Sequence, residues 1–464
     1  MTTSHPHAAS DRRAAAPRPA DARPASKATF SRADRPVPLV ELPTPLLTLD
    51  LDALDHNVAT MAAWCRAAGV DLAPHGKTTM SPDVWRRQLD AGAWGITVAT
   101  AFQASVAREA GVARVVLAGT TFHEEALVAL ASRPRATRVM MWVDSVDAVR
   151  LADEALARAA AASAVLGDGD VEPAEPLAVL VELGSPLGRT GARTLAEAQR
   201  VADAVSSAEH LVLAGVAGYE GALTHDVDAA GIQVVDDYLG TLLELLDAVG
   251  PEAFDDWLAA GEDVVLTAGG SVYFERVVAV LGARHDPRGD RGPRLRVVLR
   301  SGSYVAHDHD LYRRLTPFAR DTTPGSAHAD GSESFRPALE LWATVVSRPE
   351  PGLALLNAGR RDTADDEGTP VPLDAWRTSD AVAGAARGPL AGALDGASVS
   401  ALNDQHAFLR LRDDSTLAVG DLVRLGVSHP CTTISQWSEL STVRGGTEAR
   451  VLPPTVVGTF ATRF

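Results

Sequence analysis

The sequence predicts an α/β fold: a closed parallel (β/α)8 barrel of the TIM type, followed by a C-terminal antiparallel β domain. Short apolar, β-branched runs alternate with amphipathic helical patterns across residues 51–315. The alternation produces eight such runs, the number a closed barrel needs. Beyond Thr316 the helical period fades into β runs separated by Gly, Pro and Asp clusters. A chain of 464 residues has room for both units.

Residues 1–40 are mainly Ala, Pro, Arg and Ser without an apolar period and read as a disordered tail. Residues 41–50 contain the strand Leu46-Leu47-Thr48-Leu49-Asp50, which precedes the barrel and is expected to join the β domain. A helix follows from Leu51 to Ala68. Barrel strands start at Leu72, Ile96, Val115, Val139, Leu177, Leu211, Val264 and Leu295. Each but the last precedes a helical pattern, such as Ser81–Ala91 or Thr194–Ser206. Residues 316–464 form the β domain, with runs at Leu339–Ser347, Leu353–Asn357, Ala407–Leu411, Leu422–Gly426 and Val451–Val456. Ala381–Gly396, rich in Gly and Ala, reads as a loop or insertion.

Hydrophobic residues at 46% and charged residues at 22% suit a folded chain with a sizeable core. The net charge of −17 excludes a general nucleic-acid binder, which needs a cationic face for phosphates. No apolar run is long enough to span a membrane, and the N-terminus lacks the apolar region of a secretory signal. Two cysteines, Cys65 and Cys431, make no disulfide framework; Cys65, beside Trp64 on a helix, reads as core. These features predict a cytoplasmic protein.

Of the 43 basic residues only Lys27 and Lys77 are lysine. A codon bias toward arginine accounts for most positions, and Lys27 lies in the tail. Lys77 lies in Pro74-His75-Gly76-Lys77-Thr78-Thr79, at the end of the first barrel strand. Lysine can lose its proton and attack a carbonyl, whereas guanidinium stays charged. A Schiff base on Lys77 is therefore expected.

Barrel active sites lie at the C-terminal strand ends. The period of two puts His75 and Lys77 on one inward face. The fifth strand ends in Glu182-Leu183-Gly184 and a Gly-rich loop around Arg189, and the sixth in Gly218-Tyr219-Glu220-Gly221. The seventh ends in Gly269-Gly270-Ser271 ahead of a helix, and the eighth in Arg300-Ser301-Gly302-Ser303-Tyr304. Gly-rich turns after the last two strands suit a phosphate, held by backbone N–H groups and a helix dipole. Together with the lysine they point to pyridoxal phosphate. In Ser428-His429-Pro430-Cys431, a His and a Cys two apart on an extended segment suit a metal, and a thiolate with an imidazole suits zinc. His406, in Asn403-Asp404-Gln405-His406, is a further candidate for the substrate site.

The segments Pro74–Lys77 with Ser81-Pro82, Gly188-Arg189-Thr190-Gly191, Gly218–Gly221, Gly302-Ser303-Tyr304, Ser347-Arg348-Pro349 and His429-Pro430-Cys431 resemble the D-serine dehydratase and D-threonine aldolase family. These are fold-type III pyridoxal phosphate enzymes with an alanine racemase-like barrel and a β domain. The resemblance spans Leu42 to Val457. It implies that Lys77 carries the cofactor, that Arg189 and Tyr219 contact its ring, and that Gly270-Ser271 and Gly302–Tyr304 hold its phosphate. It also implies a metal on His429 and Cys431, a homodimer, and a small β-hydroxy D-amino acid as substrate. The expected reaction is loss of water to a keto acid and ammonia, with D-serine the first candidate. Retro-aldol cleavage is the nearest rival, but family aldolases tend to carry His-x-Asp. A racemase needs a second base and no metal, and a non-catalytic carrier of the cofactor is usually a bare barrel. The family pattern Ala-Lys-Thr-His is replaced here by Gly76-Lys77-Thr78-Thr79.

Overall fold

Runs of Val, Leu and Ile buried on both faces build the eight parallel strands, as expected where helices cover the outside of a sheet. The computed structural model describes residues 36–132, 137–166, 175–186, 188–320, 334–378, 387–445 and 453–464. Lys27 and most of the N-terminal tail lie outside the described residues. The strands are Asp71–Leu72, Ile96–Val98, Arg114–Leu117, Arg138–Val143, Leu177–Leu183, Leu211–Gly218, Val264–Ala268 and Leu295–Leu299. From the second strand to the eighth each pairs with its sequence neighbour, and the eighth pairs with the first. The ring closes between the first two strands through the bridge His75–Thr97. There Thr97 N donates to Pro74 O at 2.9 Å, and Thr97 Oγ1 to Ala73 O at 2.6 Å. The barrel centre is filled by side chains that include Val116, Met140, Leu180, Val265 and Val298.

Local signals set the helices around it. Asp50 caps Leu51–Ala68 by accepting from Asp52 N and Ala53 N, and Gly69 ends it at φ 66°. Thr194 and Glu197 form a reciprocal capping box on Leu195–Ser206. Within Leu51–Ala68, the fully buried Asn57 donates to Val305 O at 3.2 Å and Arg336 O at 2.7 Å, and accepts from Arg336 N at 2.7 Å. One side chain thus ties this helix to the turn after the eighth strand and to the start of the second sheet.

The strand Leu46–Asp50 lies inside that second sheet. It pairs antiparallel with Leu339–Glu350, with Leu49 opposite Leu339, and parallel with Glu439–Val443. The sheet is therefore mixed, because the N-terminal strand enters it from the direction opposite to its neighbour's return. Its other pairs are antiparallel. Three of its strands, Val371–Arg377, Ser398–Leu402 and Glu439–Val443, are not evident in the sequence. Pro372, Asp374 and a register shift interrupt the first, and small polar residues dilute the other two. The run expected at Val451–Val456 appears as Thr455–Ala461, its first two residues lying outside the described set. Part of the expected loop Ala381–Gly396 also lies outside it, while Gly388–Pro389 pairs with Trp376–Arg377. Among the described residues no helix is long and apolar enough to cross a membrane.

Asn57→Ala strands two carbonyls and one amide, so it should lower stability by about 2–4 kcal/mol in urea unfolding. A loss below about 0.5 kcal/mol would show that this tie is dispensable.

Candidate active site

Lys77 lies on the turn Gly76–Thr78 that follows the first strand. Its half-buried side chain enters a cavity of about 930 Å³ at the C-terminal mouth of the barrel. Burial holds its ammonium below the ordinary lysine range; Arg189 adds to that effect, and Cys431 opposes it. Gly76 is required by packing. A Cβ there would stand 2.7 Å from Nε1 of the buried Trp85 and 2.8 Å from Ile96 Cγ2. Trp85 Nε1 instead donates to Gly76 O at 3.2 Å. Thr79, the other departure from the family pattern, is buried and accepts from Ser81 N at 3.4 Å at the start of helix Pro82–Asp90.

His75 lines the same cavity, and its Nδ1 is buried without a hydrogen-bond partner. Burial first, then Lys77 and Arg300, hold its pKa well below the usual histidine value, so the ring is neutral. The Arg189 guanidinium lies 4.7 Å from the centre of the Tyr219 ring. Arg300, buried at the end of the eighth strand, stacks on Trp142 at 4.8 Å and donates to Thr267 Oγ1 and Gly218 O. Glu182 is buried and accepts from Thr190 Oγ1 at 2.9 Å, and burial lifts its carboxyl to about 7.

Glycine permits close approach at the turns after the last two strands. Gly302 would carry a Cβ 2.5 Å from His75 O, and Gly270 one 2.9 Å from Tyr219 Cε2. The fully buried Glu220 accepts from Gly269 N at 2.9 Å and Gly270 N at 2.6 Å. Those two amides are therefore committed to a carboxylate, which fixes the seventh turn. Ser271, Gly302 and Ser303 also line the cavity.

The opposite wall comes from the second sheet. Cys431 Sγ lies 3.3 Å from Thr78 Oγ1 and 3.4 Å from Ser303 Oγ. Burial raises the Cys431 thiol, but the hydrogen bond and charge of His429 with the two hydroxyls outweigh it, and the net shift is downward. His429 Nδ1 hydrogen-bonds Asp366 Oδ2 at 2.8 Å, and Thr432 Oγ1 donates to Asp366 Oδ1 at 2.9 Å. Burial lowers the His429 pKa, yet Cys431 and Asp366 carry it up to about 9.

Lys77, His75, Arg189, Tyr219, Gly270, Ser271, Gly302, Ser303, His429 and Cys431 thus share one cavity. Two expected residues do not. Tyr304 turns into the core behind the eighth-strand turn, where its hydroxyl accepts from Gln88 Nε2 at 3.0 Å and its ring packs 5.5 Å from that of Phe335. His406 is exposed on a hairpin turn closed by Asn403 N donating to His406 O, and it does not line the cavity. Cys65 is buried, and its thiol is pushed up to about 12, as a core residue should be. Asp366, Glu182, Glu220 and Arg300 were not singled out from sequence. Glu182, Glu220 and Arg300 stand inside quoted motifs, so their place at strand ends was a usable signal. Asp366 lies in the irregular charged stretch Arg360–Gly368 and carries none.

These residues fit pyridoxal phosphate. The unpartnered His75 Nδ1, the close approaches at Gly302 and Gly270, and the desolvated Lys77 amine face a cavity of sufficient size. A metal fits less fully: His429 and Cys431 offer a nitrogen and a sulfur, with Asp366 positioned to orient the imidazole. Among the described residues no group of three His, Cys, Asp or Glu side chains could hold an ion, so water or substrate would complete the shell.

The folded protein keeps the Glu182 proton up to about pH 7, whereas the ordinary value is 4.5. Its contribution to stability therefore falls as pH rises between those values. Thermal unfolding of the cofactor-free protein should show Glu182→Gln gaining on the parent from pH 5 to pH 8, estimated at about 2–6 °C. A constant difference across that range would place the Glu182 pKa near its ordinary value.

Two family models match this chain: "Alanine racemase, N-terminal domain" over residues 49–253, and a serine dehydratase domain over residues 338–443. D-threonine aldolase of an Arthrobacter species is 24% identical over 418 residues, covering 88% of this chain and 91% of that one. D-threo-3-hydroxyaspartate dehydratase of Delftia sp. strain HT23 is 38% identical over 112 residues, 24% of this chain and 30% of that one. The crystal structure of D-threonine aldolase from Filomicrobium marinum is similar at a TM-score of 0.69 and 26% identity, covering 93% of this chain and 98% of that one. With the alanine racemase-like barrel, the second sheet and the lysine-bearing mouth, the chain resembles fold-type III pyridoxal phosphate enzymes of the D-serine dehydratase and D-threonine aldolase type.

Proposed function

We propose that this protein is a pyridoxal phosphate- and zinc-dependent lyase of the D-serine dehydratase type. It removes water from a small β-hydroxy D-amino acid, D-serine first among them, to give a 2-keto acid and ammonia. It works in the cytoplasm as a homodimer. The observation that carries this reading is the placement of a desolvated lysine and a His–Cys pair in one cavity, on opposite walls.

When bound, pyridoxal phosphate supplies the aldehyde that holds the amino acid and the ring that takes up the electron pair left at Cα. Zinc, when bound, polarises the β-hydroxyl. Lys77 Nζ removes the Cα proton, and the lowering of its pKa by burial favours the neutral amine. Arg189 and Tyr219 form one flat boundary for a ring, and His75 Nδ1 is left to hydrogen-bond to the cofactor. Ser271, Gly302 and Ser303 would meet the phosphate. His429 and Cys431 would hold the metal, with Asp366 fixing the imidazole. Thr78 and Ser303 orient the sulfur toward the cavity side of Lys77.

Retro-aldol cleavage is the second reading, because three relatives matched over most of their length and one solved structure carry the name aldolase. Cys431 favours elimination, since a soft thiolate selects zinc and a Lewis acid on the β-hydroxyl makes it a leaving group. Enzyme reconstituted with cofactor and zinc should release a keto acid and ammonia from D-serine and D-threonine. Cys431→Ala should keep the bound cofactor's absorbance and lose about 100-fold or more in turnover. Glycine with acetaldehyde from D-threonine, and no keto acid, would replace elimination with the retro-aldol reading.

A further inference from the structure

Glu367 occupies a place in the catalytic cavity that the proposed chemistry does not use. Its half-buried side chain lines the wall that the second sheet contributes. Its carboxylate makes no hydrogen bond or ion pair among the described residues. Both neighbours are pinned. Asp366 is bonded to His429 and Thr432, and Gly368 O accepts from Ser428 Oγ at 2.5 Å. Glu367 is thus held beside the His429–Cys431 pair, and its charge is not neutralised by a neighbour. The cations of the cavity, Lys77, Arg189 and Arg300, belong to the barrel wall instead. Of these, Arg189 lies over the Tyr219 ring and Arg300 is committed to Thr267 and Gly218.

On the reading proposed above, a substrate places its amino group toward Lys77 and its β-hydroxyl toward His429 and Cys431. The remaining substituent on Cβ then comes nearest the segment Asp366–Gly368. A methyl group or hydrogen meets no penalty there. A carboxylate meets a like charge in a half-desolvated place, where repulsion is strong. We propose that Glu367 is a charge filter that admits β-hydroxy D-amino acids with a neutral β-substituent and excludes those with a second carboxylate on Cβ. Glu367 is therefore a specificity-determining residue, and the substrate class carries a single carboxylate.

The test compares D-serine with D-threo-3-hydroxyaspartate on the holoenzyme and its Glu367→Gln variant. The parent should favour D-serine in kcat/KM by about tenfold or more, and the variant should bring the two within about threefold of each other. Any cation at the His429–Cys431 pair acts on parent and variant alike, so the change in ratio isolates Glu367. A parent that prefers the dicarboxylate, or a ratio unmoved in the variant, would overturn the proposal. A second measurement does not depend on lyase chemistry. D-asparagine and D-aspartate share a shape and differ in charge, and the bound cofactor's absorbance reports binding of each. Asparagine should bind about tenfold tighter to the parent, with the preference lost in Glu367→Gln. Equal binding to the parent would overturn the filter. Absence of turnover with every β-hydroxy substrate would sink the lyase reading alone, since this binding comparison would still decide the role of Glu367.

Discussion

The barrel mouth depends on how the segment Ser428–Thr432 is seated on the turns after the first and eighth strands. Cys431 Sγ meets Thr78 Oγ1 on one turn and Ser303 Oγ on the other. Beside it, His309 N donates to Val427 O at 3.1 Å, and Ala364 N to Thr433 Oγ1 at 3.2 Å. Residues more than 350 positions apart in the chain are brought within hydrogen-bond reach of one another by these few contacts. With them the cavity has a barrel wall and a sheet wall; burial there lowers the Lys77 pKa, while His429 and Cys431 are shifted against burial by each other and by their hydrogen-bond partners.

The charges at the mouth are arranged with equal economy. Arg300 is buried but satisfied by Thr267, Gly218 and the face of Trp142, and its cationic field adds to burial and Lys77 in lowering the His75 pKa. Glu220 is buried but satisfied by two backbone amides, which makes the seventh-strand turn rigid. Each follows the rule that a buried charge needs hydrogen bonds of its own. The opposite wall differs, because Asp366 completes a chain from Thr432 through the imidazole to the sulfur. That chain sets which ring nitrogen of His429 is left for a ligand.

Much of this was legible in the sequence. The barrel strands declared themselves through continuous apolar runs, because a parallel sheet is buried on both faces and shows no alternation to misread. The isolated lysine and the Gly-rich turns stood at strand ends, where barrel chemistry lies, so Lys77, Arg189, Tyr219 and Gly302 could be named in advance. The His-x-Cys spacing identified the second wall. Other features depended on tertiary contact. Tyr304 shares a turn with Gly302 and Ser303, but the short helix at Ser303–Val305 turns its ring to the opposite side. His406 has the right chemistry for a site but stands exposed on a hairpin turn outside the cavity. Asp366 is separated from His429 by 63 positions of irregular chain, and no periodicity links them. The departure at Gly76 looked like a gap in the family motif. The structure gives it a cause, since the Trp85 indole occupies the space of an alanine methyl.

The central claim is that Lys77 carries pyridoxal phosphate at the mouth of the barrel. The measurement that tests it most directly is borohydride reduction of the purified holoenzyme, followed by peptide mapping and the absorption spectrum. A visible band that disappears on reduction, with the pyridoxyl group recovered on the peptide containing Lys77, is the predicted result. A colourless protein that stays unmodified in excess pyridoxal phosphate, or an adduct confined to Lys27, would contradict it.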